Sequence, residues 1–132
     1  MDTTRAIMLL QGLEQMDRDD EKQELLLAWI NKGTMPVDQL DKVLLLIKKF
    51  GSDMDKETMY KKLAAESIRS DEQWVSLIGE VANINQNEQK ADLLTDIAKK
   101  MPRTEAVKTA YTKVAKTISG DMEYGRAIRA AE

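Results

Sequence analysis

Apolar residues recur three and four positions apart along almost the whole chain, as in Leu9, Leu13 and Met16, in Leu25, Leu26 and Trp29, and in Leu40, Val43, Ile47 and Phe50. That spacing puts them on one side of a helix with about 3.6 residues per turn. Apolar and polar residues nowhere alternate for more than a few positions, so the pattern predicts helices and no strands. Gly33 with Pro36, Gly51, Pro102 and Gly120 stand between the periodic stretches, where they end one helix or open the next. Gly12, Gly79 and Gly125 fall inside the pattern, where glycine weakens a helix without ending it.

The helices repeat with a period of 34 residues. Met16, Phe50, Ile84 and Ile118 occupy one column, each followed by a short polar break. Three residues on stand Asp19, Asp53, Asn87 and Asp121, then Glu21, Asp55, Gln89 and Glu123, then Lys22, Lys56, Lys90 and Tyr124. Apolar columns flank the break: Leu9, Val43, Leu77 and Tyr111, and Leu13, Ile47, Val81 and Ala115 upstream; Leu26, Tyr60, Leu94 and Ile128, and Trp29, Leu63, Ile97 and Ala131 downstream. Each unit therefore reads as a first helix A, a turn, and a second helix B. The Asp or Asn at 19, 53, 87 and 121 is expected to accept hydrogen bonds from the free N–H groups that open its own B helix. One such hairpin cannot bury both of its sides, whereas stacked hairpins share a continuous core.

The A helices are expected near 4–17, 37–50, 71–84 and 104–118, and the B helices near 20–32, 54–69, 88–100 and 122–131. Ser70, Asp71, Glu72 and Gln73 read as a capping box that opens the third A helix. The expected fold class is all-α, a right-handed α-solenoid of four 34-residue hairpins with about eight helices. It forms one domain over residues 1–132, with units near 3–34, 35–69, 70–101 and 102–132.

Tetratricopeptide repeats share the period but need small residues where Leu46, Thr58, Thr112 and Tyr124 stand, so that family does not fit. The turn resembles HEAT-like repeats, in which an Asp-containing break precedes a second helix carrying a basic residue. Residues 118–130 (ISGDMEYGRAIRA) and 84–94 (INQNEQKADLL) are similar to degenerate helical repeats of bacterial proteins, where they follow a membrane-embedded sensor peptidase or anti-sigma-like region. The first unit departs from that turn in having no Ser before its Asp, and the last in having Tyr124 in the Lys column. The resemblance implies a helical-repeat fold, and as one function a regulatory or docking segment of a larger bacterial envelope or signalling protein.

Composition narrows the chemistry. With 132 residues the chain is long enough for one domain with a core of its own. It has no Cys and no His, so disulfides, thiolate and imidazole metal ligands, cysteine nucleophiles and histidine general bases are all excluded. A net charge of −3 gives no general attraction to nucleic acid, and the densest basic set is Lys99, Lys100, Arg103, Lys108, Lys113 and Lys116. The longest apolar runs, 7–10 and 43–47, are far short of a membrane span, and residues 1–4 lack a basic, apolar leader. The chain as given is expected to be cytoplasmic, or periplasmic or otherwise extracytoplasmic if it is cut from a larger envelope protein.

No catalytic, metal or cofactor site is expected. Asp17, Asp19 and Glu21, and likewise Asp53, Asp55 and Glu57, alternate as in a calcium loop but lack its glycine and closing glutamate. Asp92 and Asp96 lie one turn apart and could share a proton, which leaves a carboxylate-only metal enzyme or hydrolase as a remote reading. Trp29 and Trp74 fall in apolar columns and are expected in the core, and the eight methionines in packing roles. The leading reading is a non-enzymatic module that binds a protein or peptide on the outward B positions Glu24, Ala28, Lys61, Lys62, Asp92, Asp96, Arg126 and Arg129.

The two ends of the array differ. Lys108 and Thr112 replace apolar residues of the earlier units, as a polar terminal repeat requires. Ile7 and Met8 stand where the second unit has Asp41 and Lys42, and Leu27 where it has Lys61. These apolar residues are expected to fold back on the neighbouring unit or else to join a preceding domain, a partner or a second copy of the chain.

Overall fold

A computed structural model describes residues 3–16 and 18–132 and, among these, every side chain except those of Thr3, Thr4, Ala6 and Ile7. The described residues form α1 (Thr3–Glu14), α2 (Asp19–Ile30), α3 (Val37–Lys48), α4 (Asp53–Glu66), α5 (Asp71–Glu80), a 3-10 turn (Val81–Asn83), α6 (Asn87–Lys100), α7 (Glu105–Ala115) and α8 (Asp121–Ala130), with no strand among them. Even-numbered helices begin at Asp19, Asp53, Asn87 and Asp121, and odd-numbered ones at Thr3, Val37, Asp71 and Glu105. Both series advance by 34 residues.

The odd-numbered helices stop two to four residues short of their expected ends, for one recurring reason. Met16, Phe50, Ile84 and Ile118 donate their N–H to the carbonyl three residues back, at Leu13, Ile47, Val81 and Ala115. This tightens the last turn to the 3-10 form and leaves the α-helix. The apolar column thus continues past the helix into the turn, where Phe50, Ile84 and Ile118 are buried and Met16 half-buried.

Each helix packs on the next but one: α1 on α3, α3 on α5 and α5 on α7, and in parallel α2 on α4, α4 on α6 and α6 on α8. Contacts between successive helices, α3 with α4, α4 with α5, α6 with α7 and α7 with α8, join the two series. The core runs along the whole chain because the apolar columns supply it in every helix pair: Leu13, Ile47, Val81 and Ala115, then Leu26, Tyr60 and Leu94, then Trp29, Leu63 and Ile97. Trp74 is buried as well.

Polar groups inside this core are tied across it. Ser70 Oγ accepts the Gln73 N–H at 3.1 Å and Gln73 Oε1 accepts the Ser70 N–H at 3.3 Å, the capping box expected for α5. The amide of Gln73, which is buried, also donates to the Met35 carbonyl at 2.7 Å, joining the start of α5 to the segment before α3. Ser67 Oγ donates to the carbonyl of Gly33, whose φ of 110° lies in the left-handed region that glycine enters freely. Tyr111 Oη donates to the Ala127 carbonyl at 2.7 Å, with the Leu94 carbonyl 3.2 Å away, so the hydroxyl on α7 joins α8 and lies against α6.

Ser70→Ala should cost about 0.5–2 kcal/mol, as loss of a cap does. Gln73→Ala should cost more, because it also leaves the buried Met35 carbonyl without its partner. Urea unfolding of the two variants checks this; equal costs would remove the cross-chain link from the account. Burial pushes ionisation of the Tyr111 hydroxyl up from 10.0 to about 12, with Arg103 opposing. The neutral phenol is therefore favoured in the folded state, and its contribution is complete below pH 10 and lost as pH rises from 10 to about 12. Tyr111→Phe should be about 1–2 kcal/mol less stable at neutral pH, with the gap to the parent chain closing across that window. A gap that stays constant with pH would contradict it.

Candidate interaction surface

The surface is set by how one helix pair is tied to the next. Asp19 Oδ2 accepts the Gly51 N–H at 3.0 Å, and Asp53 Oδ2 accepts the N–H groups of Asn85 and Gln86 at 3.0 and 3.2 Å. Asn87 Oδ1 accepts the Ser119 N–H at 3.4 Å while its amide donates to Ser119 Oγ at 2.8 Å. These residues were expected to cap their own helices, and the structure corrects that role. Each is the first helical residue and not the cap, so its side chain points off its own helix and reaches the turn one pair later. Ser52 caps α4 by accepting the Asp55 N–H. Lys90 adds a further tie through Nζ to Thr117 Oγ1 at 3.0 Å, and burial lowers its pKa, with Asp53 opposing.

Held in this way, α4, α6 and α8 bring exposed charges together. A shallow groove of about 290 Å³ is lined by Lys61, Asp92, Thr95, Asp96, Lys99 and Arg126. It adjoins a second of about 430 Å³ lined by Glu88, Asp121, Met122, Glu123, Arg126 and Arg129, and Arg126 is common to both. Four of the eight expected B-face residues, Lys61, Asp92, Asp96 and Arg126, thus meet in one groove, and Arg129 lies in the next. Lys62, Glu24 and Ala28 are exposed but line neither groove. Thr95, Lys99 and Glu88 were missed, although stepping 34 residues along the chain from Lys61 reaches Thr95 and then Arg129.

Four of the groove's charges, Lys61, Asp92, Asp96 and Arg126, are already paired. Lys61 Nζ meets Glu57 at 3.0 Å, Lys100 Nζ meets Asp96 at 2.8 Å, and Arg126 meets Asp92 at 3.0 Å and Glu88 at 3.4 Å. Asp92 and Asp96 face separate cations, so no proton-sharing pair forms. Ion pairs this exposed contribute on the order of 0–1 kcal/mol each, so a partner's charges can replace them at little cost. The calcium-like positions are also engaged, Asp53 by two backbone N–H groups and Asp19 by Gly51, while Asp17 lies outside the described residues. Among the described residues no group of three or more His, Cys, Asp or Glu side chains is placed to hold a metal ion.

The basic set does not form one stripe: Lys108, Lys113 and Lys116 line a depression on α7, Lys99 lies in the even-helix groove, Lys100 pairs with Asp96, and Arg103 donates to the Ala131 carbonyl. Burial, and after it the Glu80 carboxylate, push the hydroxyl of Tyr60 above the ordinary tyrosine range, with Asn83 opposing. The expected fold-back of Met8 does not occur: it is 66% exposed. The Ile7 side chain lies outside the described residues, and Leu27 is half-buried against the core. Among the described residues no helix is long and apolar enough to cross a membrane. Compared with protein-family models, curated proteins and solved structures, the chain matches none.

Asp53→Ala should cost about 1.5–3 kcal/mol by stranding the N–H groups of Asn85 and Gln86, whereas Asp53→Asn should retain most of the stability because Asn87 fills the same role with an amide. Asp121→Ala, at the exposed last position of the column, should stay within about 0.5–1 kcal/mol of the parent chain. Thermal or urea unfolding of the three variants checks the ranking. Equal losses at 53 and 121 would contradict it.

Proposed function

We propose that the chain is a short right-handed α-solenoid of HEAT-like hairpins that works as a non-enzymatic module, presenting its even-numbered helices to a protein or peptide. The observation that carries this reading is the groove across α4, α6 and α8, where Lys61, Asp92, Asp96, Lys99 and Arg126 place both signs of charge on three successive packed helices. The advance of both helix series by 34 residues supports the solenoid, and the cross-pair hydrogen bonds from Asp19, Asp53 and Asn87 support a surface of fixed spacing. A surface of this kind selects partners by the order of charges along an extended or helical segment. Its shallowness and weak ion pairs suit a polypeptide better than an enclosed small molecule.

Panning a displayed peptide library against the parent chain should enrich segments of alternating charge. The combined variant Lys61→Glu, Asp92→Lys, Asp96→Lys should lower affinity for the enriched peptides at least about tenfold, a little over 1 kcal/mol. Lys113→Glu on α7 should leave it unchanged. Equal binding by the parent and the combined variant would remove this face as the site.

A further inference from the structure

The outward side of α7 carries almost a single sign of charge. With about 3.6 residues per turn, Glu105, Lys108, Thr109, Thr112, Lys113 and the C-cap Lys116 fall on one face of this helix. All six are exposed, and together they line a shallow depression of about 460 Å³. The other face, with Val107, Tyr111, Val114 and Ala115, is buried. Among the described residues no carboxylate pairs with Lys108, Lys113 or Lys116. The positions of Lys108 and Thr112 hold buried apolar residues in α3 (Leu40 and Leu44) and in α5 (Trp74 and Ile78), so the basic face is a property of α7 and not of the repeat.

We propose that this face binds an acidic polypeptide segment, at a second surface independent of the groove over α4, α6 and α8. The three lysines spread over about 12 Å of helix axis, at about 1.5 Å per residue. Three alternate side chains of an extended segment cover about 13 Å, so three acids on one side of such a segment match them in length. The Thr109 and Thr112 hydroxyls between the lysines can donate to carboxylate or carbonyl oxygens. Glu105 decides which polyanion fits. A nucleic-acid backbone presents negative charge without interruption, so it meets this carboxylate as well as the lysines, and the net charge of −3 adds to the repulsion. A polypeptide can set a neutral or basic residue opposite Glu105 and its acids opposite the lysines. The six residues of the face include no apolar side chain, which a helix seated on a lipid surface requires. Each ion pair lies in water, so affinity is the sum of several weak contacts and falls with salt.

Fluorescence anisotropy of a labelled peptide of alternating Glu and Ala tests the assignment. The parent chain should bind it at low salt and at least about tenfold more weakly at about 0.5 M salt. Lys108→Ser, Lys113→Ser and Lys116→Ser combined should weaken binding at least about tenfold with unchanged far-ultraviolet circular dichroism, because all three side chains are exposed. The combined variant Lys61→Glu, Asp92→Lys, Asp96→Lys should bind the peptide as the parent chain does, which separates this surface from the groove. Glu105→Gln should narrow the preference for the peptide over an oligothymidylate of equal charge. The proposal is overturned by absence of binding at low salt, by unchanged affinity in the triple-serine variant, or by loss of binding in the groove variant. It is equally overturned if oligothymidylate or phosphatidylserine vesicles bind the parent chain more tightly than the peptide does, or if Glu105→Gln leaves the preference over oligothymidylate unchanged.

Discussion

A short polar side chain at the first residue of α2, α4 and α6, bonded to the backbone of the turn one pair later, is the interaction on which the rest of this structure depends. Asp19, Asp53 and Asn87 could each have served their own helix, and each instead reaches 32 or 33 residues ahead. A turn at the protein surface leaves several N–H groups without helical partners. Supplying an acceptor from the previous helix pair satisfies those groups and fixes the distance between pairs. Apolar burial drives the packing of α2 on α4 and α4 on α6, but burial is not directional and would tolerate sliding. The Asp and Asn side chains set the register, and the buried links from Gln73 and Tyr111 hold the packed helices from inside.

The groove over α4, α6 and α8 follows from that register. Lys61 belongs to one helix, Asp92 and Asp96 to the next and Arg126 to the last, so their order in space is the order in which the pairs are tied together. A shift of one helix by a single turn would place Arg126 away from Asp92 and separate the two adjoining grooves.

Helix positions were legible in the sequence because apolar columns and polar breaks coincide, and the starts at Asp19, Asp53, Asn87 and Asp121 fell within a residue of expectation. Helix ends were less legible. Phe50, Ile84 and Ile118 continue the apolar stripe while the backbone has already left the α-helix, and side-chain pattern does not register that change. The role of the Asp column was misread by one residue: a cap and a first helical residue differ only in whether the side chain turns back or away, which depends on a turn about 30 residues distant. Among surface residues, Lys61, Asp92, Asp96 and Arg126 were found because the columns place them outward. The exposure of Leu25 was missed because its column is apolar in every unit, and residue type alone does not report which of those positions is covered.

Backbone hydrogen exchange, resolved by residue, tests the central claim most directly. If the Asp column ties the helix pairs together, the amides of Gly51, Asn85 and Ser119 exchange slowly despite lying in exposed turns, and Asp53→Ala speeds exchange at Asn85 and Gln86 while leaving Gly51 and Ser119 protected. Fast exchange of those amides in the parent chain, or acceleration spread evenly over all three turns in the variant, would contradict the account.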